Sequence, residues 1–168
     1  MTSQISKSPA PRLYRRLMVL AILSITLLSA HAQQVQPQME EQLAALQRLE
    51  AMQPDSVGPK YQQVLLLLGY ACSSPQDSKA GQYVDEAQRI IGKIEALKPQ
   101  KATDRSDLAT LRGFYYTALI VMSPQQNGPR YYRQALDNFD EAMRLNPDNA
   151  MAKQLQERFR QGMGEATK

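Results

Sequence analysis

Ala135-Leu-Asp-Asn-Phe139-Asp-Glu-Ala142-Met-Arg-Leu-Asn-Pro147 is the stretch on which the fold turns. Steps of four and three place Ala135, Phe139 and Ala142 on one face of a helix, and Pro147 cannot continue that helix. Two looser copies precede it: Ala87 with Ile91, Ile94 and Pro99, and Leu46 with Leu49 and Pro54. The three prolines stand 45 and then 48 residues apart. Outward from them, Ser74-Pro75-Gln76 and Ser123-Pro124-Gln125 recur at 49 residues, and Gly69 and Gly113 come 15 and 14 residues after the first two prolines. Coincidences that keep one order along the chain are internal repetition.

Each repeat reads as two helices. Gln38–Met52 carries apolar residues at 39, 43, 46, 49 and 52, a single helical stripe. Lys60–Ser73 is apolar all round at its centre and reads as a helix buried on most sides. Ala80–Leu97 and Asp104–Met122 have helical spacing, the second opening with acids that suit a helix amino end. Pro129–Leu145 is expected to start on its proline, a residue tolerated in the first turn. Asn149–Met163 closes the series, leaving 164–168 as a polar tail. No segment alternates with period two, so the expected class is all-α, about six helices in a short stack of helix hairpins over 38–163.

At Ala135-x3-Phe139-x2-Ala142-x4-Pro147 the chain resembles a tetratricopeptide repeat, whose second helix has a small residue, an aromatic, a second small residue and a closing proline at this spacing. Leu68-Gly69 and Gly113-x-x-Tyr116 resemble the first-helix signature. The likeness covers about residues 39–163, and it departs from the family in period, 45–48 residues here against roughly 34. The extra residues are expected at Ser73–Lys79, Ser123–Gly128 and before each first helix. The resemblance implies an α-solenoid packed through Gly69, Ala87, Ile91, Ile94, Pro99, Gly113, Ala135, Phe139, Ala142 and Pro147. It further implies a partner groove on the first helices, built from Gln63, Leu66, Tyr70 and Ser73 in one pair and Thr110, Phe114 and Thr117 in the next. Tyr70 and Phe114 read equally well as core.

The amino-terminal segment is of another kind. Basic residues ending in Arg15-Arg16, an apolar run from Leu17 to Ala30, and Ala30-His31-Ala32 make residues 1–32 read as a secretory signal peptide cut after Ala32, with 33–37 a short polar lead. The run is shorter than the ~20 residues of a membrane-spanning helix, so an uncleaved anchor is the lesser alternative. Four of the 20 Lys+Arg lie in this segment with no acid, leaving 16 basic against 16 acidic residues in the rest. A neutral remainder does not suit nucleic acid, whose binding is driven by uncompensated basic charge. The single histidine, His31, also falls in the leader, so the remainder can build neither a Ser-His-Asp centre nor a histidine metal site. One cysteine, Cys72, excludes intramolecular disulfides and reads as a buried hydrophobe, with an intermolecular disulfide the alternative.

The remaining polar clusters have structural readings. Asp137, Asp140 and Glu141 are answered at i−4 and i+4 by Arg133 and Arg144 as helix-surface ion pairs. Around Pro129-Arg130-Tyr131-Tyr132-Arg133, Tyr132 is expected in the core with Arg130 and Arg133 solvated; Arg130 with Arg112 is the alternative contact for an anionic or peptide partner. The sequence therefore leads to an exported, non-enzymatic helical-repeat adaptor for a protein or peptide, periplasmic or extracellular, with no cofactor or metal. The alternatives are a self-assembling envelope component and an enzyme working with carboxylates alone.

Overall fold

The computed structural model describes residues 36–166, and every regular element among them is a helix. Helix α1 covers 36–52, α2 Val57–Ser73, α3 Ala80–Ala96, α4 Ala102–Met122, α5 Pro124–Leu145 and α6 Ala150–Ala166. The chain divides into two compact units, Met1–Gln42 and Leu43–Lys168. Of the first, only the opening turns of α1 are described. The expected leader and its cleavage site lie outside the described residues. The second unit holds the rest of α1 and helices α2 to α6.

Helices α2 and α3 pack as one pair and α4 and α5 as the next, with α6 closing against α4 and α5. Helix α4 touches α2, α3, α5 and α6, which is why its sequence is apolar beyond one stripe: Leu108, Leu111, Phe114, Ala118 and Ile120 are all buried. The repeat residues meet at these seams, where Ala87, Ile94, Ala135, Phe139 and Ala142 are fully buried and Ile91 nearly so. Gly113 permits the closest approach. A Cβ there would stand 2.7 Å from two carbons of the Phe139 ring.

Three of the expected packing residues have other roles. Pro147 is exposed and Pro99 half-buried, so both act as helix stops, where a missing N–H and a ring end the helical path. Gly69 is half-buried, and a Cβ built on it would meet nothing within 4 Å. At the turn before Pro99, Lys98 takes φ 49°, a left-handed conformation normally left to glycine or asparagine. Lys98→Gly is expected to raise stability by up to about 1 kcal/mol, read as a higher thermal midpoint.

Three boundaries fall three or more residues from where the sequence suggests, the first being the start of α2, at Val57 and not Lys60, with Gly58 and Pro59 in its opening turn. Helix α5 starts at Pro124, which takes the first-turn position, and Pro129 lies inside the helix. The Asn127 side chain donates to Leu119 O at 2.6 Å and its backbone N–H to Ser123 O, fixing this added turn, so Ser123–Gly128 is mostly helix and not an inserted loop. Helix α6 runs on to Ala166, because Leu155, Phe159 and Met163 continue its apolar face past the point where Gly162 and Gly164 suggest an end.

A polar seam sets the direction of α6. Asn149 Oδ1 accepts the Ala152 N–H at 2.9 Å, capping the helix, while its Nδ2 donates to Ser106 Oγ at 2.8 Å and Thr110 Oγ1 at 3.1 Å. Ser106 in turn donates to Ala142 O at 2.7 Å, so α4, the end of α5 and the start of α6 share one buried network. The amino ends of α4 and α6 are thereby held together. Tyr61 near the start of α2 lies close enough to Asp107 to feel its charge. The three helices α2, α4 and α6 consequently run in the same sense, with α4 between α2 and α6 and touching both.

Candidate functional site: a cleft between helices α2, α4 and α6

Between the carboxyl-terminal halves of these three helices the packing leaves a cleft of about 500 Å3, within the range of ligand sites. Helix α2 contributes Gly69, Cys72 and Ser73; α4 contributes Phe114, Thr117, Ile120 and Val121. Pro124 opens α5 at the edge. The far wall is Leu155, Arg158, Phe159, Gly162 and Met163 of α6. Glycine at 69 and at 162 leaves room: a Cβ at either position would meet nothing within 4 Å.

The cleft is apolar apart from three groups, and two of those are hydrogen-bonded back to their own helices. Ser73 Oγ donates to Gly69 O at 2.8 Å and Thr117 Oγ1 to Gly113 O at 2.9 Å, so both hydroxyl hydrogens are spent on their own helices. The third is Arg158, exposed and without an ion pair among the described residues. Burial pushes the Cys72 thiol up to about 12, so at neutral pH the group is an uncharged and only slowly reactive part of the wall.

Burial also raises Tyr61 to about 12, with Asp107 adding to the effect. Both groups stay protonated in the folded chain at pH values where the unfolded chain ionises them. Their raised values favour the fold below about pH 9, and that support is lost as pH rises through 9 toward 12. Alkaline unfolding followed by circular dichroism is expected to begin in this window. A Cys72→Ala chain should show a shallower loss.

Of the residues the sequence places in a groove, Phe114, Thr117 and Ser73 do line the cleft, and Phe114 is at once wall and core with 8% of its surface exposed. Gln63 and Thr110 do not line it. Gln63 is buried and donates to Glu50 Oε2 at 2.7 Å, and Thr110 is fully buried in the Asn149 network. Each uses its side chain to satisfy a neighbouring helix. Leu66 is half-buried away from the cleft. Tyr70 also faces elsewhere: its hydroxyl donates to Asp77 Oδ2 at 3.1 Å and its ring meets Tyr83 edge-on at 5.3 Å.

The two arginines are engaged on other faces. Arg112 pairs with Glu95 at 2.9 Å, and Arg130 lies 5.0 Å over the Tyr131 ring. Tyr131, stacked on Tyr116 at 5.4 Å, is the residue that packs on the core, while Tyr132 is 38% exposed and leans on Phe159. Arg133 pairs with Asp137 as the spacing suggests. Arg144, however, grips Glu141 at 2.7 Å, three residues away, and Asp140 accepts from Gln156 of α6.

The α6 wall is what sequence reasoning missed. Treating 149–163 as a closing cap hid the fact that Leu155, Phe159 and Met163 make a stripe longer than a cap needs, with Arg158 beside it. A second, polar recess of about 370 Å3 lies by α1 around Glu50. Burial opposes the Glu50 carboxylate, but hydrogen bonds from Gln63 and Lys93 and the charges of Lys93 and Lys60 hold its pKa below the ordinary value. Lys60 is itself nearly buried and donates to Pro54 O and Ser56 O. These groups satisfy one another and join α1 to α2 and α3. No family model, curated protein or solved structure matches this chain.

Proposed function

We propose that this chain is an exported, non-enzymatic helical-repeat adaptor, of the tetratricopeptide kind, that holds a partner protein in the cleft between α2, α4 and α6. The observation that carries the reading is the cleft itself: three helices of like direction, each from a different hairpin or cap, converge on an apolar recess whose titratable lining is one arginine and one uncharged thiol. Such a lining suits recognition. It holds no pair of groups placed to donate and accept a proton in a reaction.

The test places a photo-crosslinking amino acid at Ser73, on the exposed lip of the cleft, and at Arg133, exposed on α5, in separate full chains expressed in the native cell. A partner protein crosslinked from position 73 and not from 133 supports the adaptor. Equal products from both positions, or none, contradict it. Crosslinks from 73 only to a second copy would instead support self-assembly, for which Met52, 79% exposed at the end of α1, offers an apolar contact.

A further inference from the structure

The chemistry of the cleft wall says what kind of chain segment can enter it, given the adaptor reading on which this inference rests. A peptide brings backbone N–H and C=O groups that must be satisfied once they leave water. Ser73 and Thr117 have spent their hydroxyl hydrogens, and the rest of the lining is carbon, sulfur and glycine except for the Arg158 guanidinium. An extended segment laid here would bury carbonyls with one donor group to receive them. A helix carries its own backbone hydrogen bonds and presents side chains alone. About 500 Å3 holds a few side chains, not a whole domain face.

Charge supplies the second constraint. Arg158 is the one charged residue on the lining and has no ion-pair partner among the described residues. A ligand that covers the cleft brings its own polar flank close to that guanidinium, where a carboxylate is favoured and an ammonium is opposed.

We propose that the cleft receives an amphipathic helix of the partner, with apolar side chains at i, i+3 or i+4, and i+7 seated between α2, α4 and α6, and an Asp or Glu on its flank paired with Arg158. Phe114 and Phe159 form the apolar floor, and the missing side chains at Gly69 and Gly162 leave the space the partner's side chains fill.

The test selects binders for the full chain, free of detergent, from two displayed peptide libraries of equal size, one held helical and one linear. Helical binders with the stated apolar spacing and an acidic flank are expected. With a labelled helical binder as probe, Arg158→Glu should weaken binding about tenfold, and changing the binder's acid to lysine should restore it on that variant. Gly69→Leu, which fills open space and whose fold is checked by circular dichroism, should abolish binding by the parent probe. Selection from the linear library alone, binders without an acid, or unchanged affinity in Arg158→Glu would overturn the proposal. So would dodecanoate binding to the chain when no helical peptide does, which would mark the cleft as a site for an acyl anion. A Ser73 crosslink to a partner without helical binders removes the helix and leaves the adaptor; loss of both removes both.

Discussion

Phe139→Ala is expected to destabilise the fold by about 3–5 kcal/mol, the cost of emptying a large aromatic site in the core. The ring has no exposed surface and is the biggest fully buried side chain. It fills the seam between α4 and α5 and lies 6.5 Å from Phe159, so its loss opens a cavity reaching toward the α6 wall. A companion substitution makes the prediction specific. Gly113→Ala alone should cost about 1–3 kcal/mol, because its Cβ would come within 2.7 Å of the ring and nothing in that seam can move cheaply. In the Phe139→Ala background the same change should be neutral or stabilising, since the obstacle is gone and alanine is the better helix former. Gly69→Ala, with open space around its Cβ, should stabilise by about 0.5–1 kcal/mol in either background. Chemical denaturation of the four chains in the Gly113–Phe139 cycle measures the coupling directly.

The second large effect is expected at Asn149. Its carboxamide caps α6 and donates into the Ser106–Thr110 pair, and the residue is 7% exposed. Asn149→Ala leaves the buried Ala152 N–H without its acceptor and takes the donor from two hydroxyl oxygens, together costing about 2–3 kcal/mol. Asn149→Asp keeps the cap acceptor but sets its second oxygen against Ser106 Oγ and Thr110 Oγ1, whose hydrogens are already donated, and about 3.5 Å from Asp107 Oδ1. It should therefore cost at least as much as alanine at neutral pH. Hydrogen exchange should show α6 losing protection before α4 does, because the network is what ties the start of α6 to α4 and α5.

The helices themselves were legible from residue pattern. Apolar steps of three and four, closing prolines and the order of the repeats place all six, because burial of one face per helix writes a period into the sequence. The start of α5 was harder: two prolines, Pro124 and Pro129, can each begin a helix, and the Asn127 hydrogen bond that favours the earlier one is a tertiary contact. The cleft was legible by halves. Periodicity marks Phe114 and Thr117 as facing a neighbour, but it cannot distinguish a neighbour that is absent from one that is present. Thr110, one turn earlier on the same face as Phe114 and Thr117, is covered by Asn149, and Gln63 by Glu50. Arg158 reads as an ordinary surface residue until α6 is set beside α2 and α4. Ion pairs show the same limit: i+3 and i+4 partners are both in reach along a helix, and here Arg144 takes Glu141 while Asp140 accepts from Gln156 of α6.

The central claim is that the cleft between α2, α4 and α6 is where a partner sits, and the chain carries its own reporter there. Cys72 is the single cysteine of the sequence and lies in the cleft wall. Its alkylation rate can be followed by mass spectrometry on the unaltered chain at mildly alkaline pH, with and without the partner recovered from the Ser73 crosslink. Occupation of the cleft predicts a rate slow in the free chain, as the raised thiol pKa requires, and slower again by about tenfold or more once the partner is bound. An alkylation rate that the bound partner leaves unchanged would mean the partner sits elsewhere, and would contradict the account.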